Sequence, residues 1–243
     1  MTFCLGITLN EGIIAISDTR ITSGNECTTA KKMTIFGKNN HKMFVMSSGL
    51  RSLRDKTLTY FEEALEEKEG TFDKLYKAIN VFSDQIRRVA KEDKEYLEES
   101  GLNFNIHCIV GGQLEKDSKH KLYLIYPQGN WIEIGESTPY HIIGSGGYGK
   151  PVLDRTLKFD DPIKHALKVA MLAFDSTRIS TNEVDYPMDL LVYPANSKVM
   201  HEFRLYKNDL FEISEWWQER LRNSVNEIPA KKLDEILAQI YSA

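Results

Sequence analysis

Cysteine is scarce in this chain, and the three that occur, Cys4, Cys27 and Cys108, are odd in number and scattered. That argues against a disulfide framework, and the apolar runs around Cys4 and Cys108 predict buried thiols in the reducing cytoplasm. Long hydrophobic runs are also missing. None approaches the ~18 residues of a membrane span, and the opening MTFCLGITLN has neither the basic start nor the small-residue cleavage site of a signal peptide. No Ser/Gly/Pro-rich linker or low-complexity segment divides the chain, so residues 1–243 are expected to form a single domain. Neither charge sign dominates: 31 basic and 35 acidic residues leave a net charge of −4, with no basic stripe for nucleic acid. The most acidic stretch, Glu62, Glu63, Glu66, Glu67 and Glu69, alternates with Phe61, Ala64 and Leu65, as on the wet side of a helix. The six histidines show no HExxH or CxxC-like spacing, and neither a G-x-S-x-G elbow nor a Walker loop occurs. No metal or cofactor is expected.

What is present suits a substantial core: 42% of residues are hydrophobic, and a chain of this length buries roughly 70–75% of its unfolded surface. Phe3, Leu5, Ile7 and Leu9 alternate with smaller or polar residues, Asn10-Glu11-Gly12 supplies a turn, and Ile13–Ile16 return, which predicts an N-terminal hairpin. Met33–Phe36 and Lys42–Met46 flank the turn-like Gly37-Lys38-Asn39-Asn40. The period then becomes helical, at Leu53, Thr57, Phe61 and Leu65 and again from Leu75 to Val89, with Gly70 between the two helices and Gly101 beyond them. Strands follow around 104–110, 121–126 and 131–134. One helix is predicted from about Gly149, and another with Asp161 as N-cap and Pro162 at its first position. Strands at 188–193 and 199–206 and two C-terminal helices complete the order. Strands and helices come in groups rather than alternating singly. The expected class is α+β: two mostly antiparallel sheets with helical pairs outside, a four-layer αββα sandwich.

Gly144-Ser145-Gly146-Gly147-Tyr148-Gly149 matches G-x-G-x-x-G after the apolar stretch His141–Ile143. A dinucleotide site would need a second strand about 20 residues on, ending in an acidic residue. A helix follows instead, so the motif reads as a strand-to-helix turn.

Thr2 stands behind Met1, and a small second residue permits removal of the initiator methionine. A free N-terminal threonine carries its own base, since the α-amine can accept the hydroxyl proton. Ser17-Asp18-Thr19-Arg20 ends the strand expected to pair with the first, and Lys31-Lys32-Met33 opens the third. Together they offer a cation held by an anion beside a terminal hydroxyl.

With these residues in place, the chain resembles the proteasome β-subunits and the bacterial heat-shock-locus protease, and most closely the bacterial ancestral β-subunit family, Anbu. The resemblance rests on the order and spacing of M-T, SDTR, KM, SSG, GSGGYG, the DST segment from Asp175 and PMDLLVY, over nearly the whole chain. It implies an N-terminal-nucleophile hydrolase in which loss of Met1 alone exposes Thr2 as nucleophile, its amine serving as proton acceptor and donor. Lys32 would lower the pKa of that hydroxyl and amine, and Asp18 would hold Lys32 charged. Gly49 would donate a backbone N–H to the oxyanion, Ser145 would sit near the Thr2 amine with Asp175 and Ser180, and Arg20 would brace the loop carrying Asp18. Met33 and the alternation after it favour Lys32 over Lys31. The serine of the 175–187 segment is Ser180, or the role is unfilled. The implied activity is hydrolysis of peptide bonds in peptides or unfolded proteins, within a homo-oligomeric ring or spiral; an unfoldase partner is not specified. A non-catalytic scaffold of the same fold, and an amidase of this type acting on a small molecule, stand as alternatives.

Overall fold

The structure, a computed structural model, describes residues 2–23, 26–38, 41–67, 72–195, 197 and 199–241. Met1, Glu69, Gly70 and the Asn39-Asn40 half of the second turn lie outside the described residues. The chain falls into two compact units, Met1–Lys207 and Asn208–Ala243.

In the first unit the expected hairpin is β1 (Phe3–Leu9) and β2 (Gly12–Asp18), antiparallel, with Cys4 opposite Ser17 and Leu9 opposite Gly12. Every residue of both strands is buried, because one face meets a helix and the other a second sheet. A short hairpin follows, β3 (Arg20–Ser23) and β4 (Glu26–Thr29). The second sheet begins with β5 (Met33–Lys38) and β6 (His41–Gly49). Helices α1 (Arg51–Glu67) and α2 (Leu75–Glu99) come next, then β7 (Ile106–Gln113), β8 (Lys121–Ile125) and β9 (Trp131–Ile134), giving the order β5-β6-β7-β8-β9. β10 (Tyr140–Gly144) returns to the edge of β1. Helices α3 (Lys150–Thr156) and α4 (Ile163–Ser180) then precede β11 (Met188–Pro194) and β12 (His201–Leu205), and the first sheet is ordered β10-β1-β2-β11-β12. All strand pairs are antiparallel.

α1 and α2 cover the second sheet and α4 covers β1 and β2. The fold is the expected four-layer αββα sandwich. Buried clusters among the described residues hold its layers together, two of them as follows. Cys4, Ile13, Phe44, Met46 and Ile109 fill the space between the sheets. Phe61, Ile79, Phe82, Ile86 and Val110 fill the space under α1 and α2, where Phe36, Phe61 and Phe82 meet edge to face at 5.1 Å. Each such fully buried side chain contributes roughly 1.5–3 kcal/mol. Of the acidic stretch, Glu62, Glu63, Glu66 and Glu67 are exposed on α1. Cys4 and Cys108 are buried free thiols and Cys27 is exposed.

Two local features differ from expectation. The β3–β4 hairpin was not foreseen, because Glu26–Thr29 is exposed throughout and has no buried face to impose an apolar alternation. Pro162 is the N-cap of α4 rather than its first residue, with extended backbone at φ −61° and ψ 148°. The orphan N–H of Ile163 donates instead to the Glu11 carboxylate at 2.8 Å, while Asp161 accepts from the Lys158 N–H at 2.7 Å.

In the second unit, α5 (Phe211–Asn226) and α6 (Lys231–Tyr241) follow a short 3-10 turn at Lys207–Leu210.

Candidate active site

The site is built at one end of the sandwich, where β1 begins and β2 ends. Thr2 precedes β1 and is 9% exposed. Its carbonyl accepts the Ser145 N–H at 2.7 Å, which fixes the start of the chain against the turn after β10. That contact depends on Gly144. At φ +90° its backbone is in the left-handed region, and any Cβ there would collide with the Thr2 carbonyl.

Asp18 is the last residue of β2 and is wholly buried. Its Oδ1 accepts the Phe3 N–H at 2.9 Å, one residue from Thr2, and its Oδ2 accepts the Arg20 N–H at 3.1 Å. Lys32 Nζ donates to both Asp18 oxygens, at 2.7 and 2.8 Å, and to the Arg20 carbonyl at 2.7 Å. Lys32 is 6% exposed, so its three donors are spent inside the protein. Burial pushes the Asp18 carboxyl above the ordinary carboxylate range, opposed by the Lys32 charge and the hydrogen bonds from Lys32, Phe3 and Arg20. Of the two lysines, Lys32 is the one paired with Asp18; Lys31 pairs with Glu202 at 2.5 Å.

Arg20 takes part through its backbone as well as its side chain. Its guanidinium reaches Asp185 and the Cys27 sulfur, both at 3.2 Å, and the Thr19 hydroxyl donates to the Pro187 carbonyl at 2.7 Å. The corner carrying Asp18 is thereby tied to the 185–187 segment. From the second sheet, the Ser47 N–H donates to the Lys32 carbonyl at 3.4 Å, and the Cys4 thiol faces the Ser47 carbonyl at 3.9 Å. Gly49, two residues on, ends β6 with φ +127°, and a Cβ there would strike the Asn105 carbonyl. Gly144 also lies against the Ser48 side chain, so the Ser47-Ser48-Gly49 strand end and Thr2 border the same turn.

The expected partners on α4 divide. Phe174 meets Phe3 edge to face at 5.9 Å, which puts the buried face of α4 beneath β1. Asp175, 3% exposed, follows it and pairs with Arg178 at 2.9 Å; its other oxygen is buried without a partner among the described residues. Ser180 is not brought to this cluster. It is the exposed last residue of α4, five positions from Asp175 and so about 140° round the helix. The residue that reaches Asp175 is Arg178, whose guanidinium also lies over the Tyr186 ring at 5.3 Å. Asp175 and Arg178 stand at the i, i+3 spacing of a helical ion pair, a signal too common on exposed helices to single out this one.

A model of the proteasome subunit family matches residues 2–185. The chain belongs to the proteasome subunit family. Among solved structures it is similar to a mutant of Anbu from Hyphomicrobium sp. strain MC1, at 29% identity and a TM-score of 0.85, covering 94% of this chain and 99% of that one. Anbu (ancestral beta-subunit) from Yersinia bercovieri is 28% identical, with a TM-score of 0.85 and coverage of 93% and 97%. The helical assembly of the Anbu complex from Pseudomonas aeruginosa gives 29% identity, a TM-score of 0.86 and coverage of 93% and 97%. No curated protein sequence matches the chain. Family membership and these matches agree with the four-layer fold. Among the described residues no group of three or more His, Cys, Asp or Glu could hold a metal ion, and no helix is long and apolar enough to cross a membrane.

Proposed function

We propose that the chain is a cytoplasmic N-terminal threonine hydrolase of peptide bonds that acts on peptides or unfolded protein within a homo-oligomer. The observation that carries this reading is the buried Lys32–Asp18 pair, whose carboxylate also holds the Phe3 N–H beside Thr2. Two charges buried together gain little net stability over apolar side chains of equal volume, so their placement beside a hydroxyl favours a chemical role. In this mechanism Thr2, freed of Met1, attacks the scissile carbonyl through Oγ while its α-amine takes the proton, and the Lys32 charge lowers the pKa of both groups. The Gly49 N–H faces the developing oxyanion, a donor of the kind worth about 2.7–4 kcal/mol in the transition state. The leaving amine receives the proton from the ammonium, and water then hydrolyses the Thr2 ester with the same amine as base. Asp175 and Ser145 are assigned to the polar surroundings of the Thr2 amine, and the role expected of Ser180 is left unfilled. Assembly into many copies follows the proteasome-type family and the helical assembly named for the Pseudomonas aeruginosa relative.

The test is intact-mass measurement with an epoxyketone, which needs both hydroxyl and amine, alongside turnover of short fluorogenic peptides. Des-Met protein should gain one adduct and cleave peptides. Labelling with turnover only of small amides would favour the amidase reading, and absence of both would favour the scaffold.

A further inference from the structure

A cavity lies at the end of the sandwich opposite Thr2, separated from it by the length of β1, roughly 20 Å at about 3.3 Å per residue. Its volume is about 230 Å³. That is below the roughly 300–1,000 Å³ of pockets for drug-sized ligands, and so suits a small metabolite. Thr8, Gln113 and His120 line it, with Ile134 and Phe159 as apolar wall. Strand alternation turns the first three toward the space between the sheets, since each stands two residues from a position that faces it. A Cβ on Gly6 would meet Ile109 and Leu122, one on Gly111 would meet Phe44 and Leu122, and Leu122 itself belongs to the inter-sheet cluster.

Thr8 is 5% exposed and His120 8%. His120 Nε2 donates to the Leu9 carbonyl at 2.7 Å, a bond from the second sheet to the first. Burial, aided by the Lys119 charge and opposed by the Leu9 bond, lowers the imidazole pKa, so the ring is neutral and Nδ1 is a bare acceptor. Among the described residues neither Nδ1 nor the Thr8 hydroxyl has a hydrogen-bond partner. Buried polar groups are nearly always paired, so two open ones on one cavity call for a hydrogen-bonding guest. Gln113 spends its amide N–H on the Asp117 carbonyl at 3.1 Å, which leaves Oε1 as a second acceptor. The inner end thus offers two acceptors, one hydroxyl and no charge. A primary carboxamide matches it, with N–H groups donating to His120 Nδ1 and Gln113 Oε1 and its oxygen accepting from Thr8. An ammonium or carboxylate there would lose its water without meeting an opposite charge. At the mouth both signs stand ready. Lys119 and Glu136 border the cavity 3.9 Å apart, with side chains 59% and 70% exposed. So loose a surface pair holds little energy of its own, and it can take an α-carboxylate on Lys119 and an α-ammonium on Glu136. Lys121 and Glu133, also at the rim, spend their charges on each other at 2.9 Å.

We propose that this cavity binds a free amino acid with a carboxamide side chain, of the glutamine or asparagine kind, its amide inward against Thr8, Gln113 and His120 and its zwitterion at Lys119 and Glu136. The cavity shares no residue with the Thr2 corner, so epoxyketone labelling and this test succeed or fail separately. The experiment is isothermal titration calorimetry on the full chain with L-glutamine, L-asparagine, L-glutamate, L-norleucine and butyramide. Glutamine or asparagine should bind saturably at one site per chain. Glutamate and norleucine keep the zwitterion and lose the amide, and butyramide keeps the amide and loses the zwitterion; each should bind at least tenfold more weakly. Thr8→Val should weaken binding of the amide amino acid at least tenfold. Lys119→Gln should weaken it severalfold, and because Lys119 is exposed that variant tests the site whatever Thr8→Val does to folding. Thr2→Ala should bind as wild type does. No heat from either amide amino acid would overturn the proposal, leaving the cavity to water. So would binding of glutamate or norleucine as tight as that of the amides, affinity unmoved by both cavity variants, or loss of binding in Thr2→Ala, which would put the ligand at Thr2.

Discussion

The corner around Thr2 and the C-terminal helices treat their side chains in opposite ways. At the corner, charged groups are buried and saturated: Asp18 is wholly enclosed, and it and Lys32 engage each other, two backbone N–H groups and a carbonyl. On α6, Leu233, Ile236, Leu237 and Ile240 stand about half in water, and none of the helix's described residues is buried. Both arrangements run against what folding alone favours. A domain that only had to fold would put leucines where Lys32 is and lysines where Ile236 is. At the corner the departure fits the chemistry proposed for Thr2; on α6 it leaves an apolar stripe in contact with solvent.

The contrast is sharpest under substitution at Lys32. Lys32→Ala leaves Asp18 buried without its cation, and breaking such a pair costs about 3–5 kcal/mol, far beyond the ~0.5 kcal/mol of a surface change. Asp18→Asn/Lys32→Met should recover much of that stability in urea denaturation while leaving epoxyketone labelling absent. A double variant that labels would remove the pair from the mechanism. Lys31→Ala, by contrast, should leave both stability and labelling near wild type, since Lys31 is half exposed and pairs on the surface.

Gly144→Ala should come next. It forces a side chain into the left-handed region and against the Thr2 carbonyl, at a cost of about 1–3 kcal/mol. Labelling should fall by more than this loss of stability explains, because Thr2 itself is displaced. Equal loss of folded protein and of labelling would reduce Gly144 to a structural residue.

The corner's pH response follows from Asp18. Burial raises its carboxyl above the ~3.9 of an unfolded aspartate. A group raised in this way adds stability below the unfolded value and loses that contribution as pH climbs through the folded one. Acidification from neutrality should therefore protonate Asp18 and release Lys32 while the fold, in this one term, gains. Carboxyl ¹³C NMR should give Asp18 a midpoint above 3.9; a midpoint at or below it would mean that the hydrogen bonds outweigh burial.

The smallest effect separates the thiols. Burial pushes the Cys4 and Cys108 thiols far up, whereas Cys27 is exposed and the Arg20 hydrogen bond lowers its thiol. A thiol reagent should titrate one cysteine in the native protein and three after denaturation. Native reaction of Cys4 would show the inter-sheet core opening, and of Cys108 the core under α1 and α2.

Much of this was legible beforehand where burial writes a period into the chain. The β1–β2 hairpin shows in Phe3, Leu5, Ile7 and Leu9, and the helical spacing from Leu75 to Val89 marks α2. Asp18 stood out because it ends the strand predicted to pair with the first, and Lys32 because it opens the next strand. β5 lies in the other sheet, so it is the stacking of the two sheets, not strand pairing, that brings Lys32 to Asp18. The β3–β4 hairpin was hidden because it buries no face. Ser180 was misplaced because the end of α4 sets the direction of each side chain, and one helical position turns a residue by about 100°. Arg178 went unnoticed because an acid–base pair at i, i+3 looks the same on a wet helix as on a buried one.

The central claim is that Thr2 is a nucleophile once its amine is free. Preparations differing in Met1 content should be treated with an epoxyketone and weighed intact, with Thr2→Ala and Thr2→Ser in parallel. One adduct should form in proportion to the des-Met fraction; Thr2→Ser should retain part of it and Thr2→Ala none. Labelling independent of the des-Met fraction, or persisting in Thr2→Ala, would contradict the threonine mechanism.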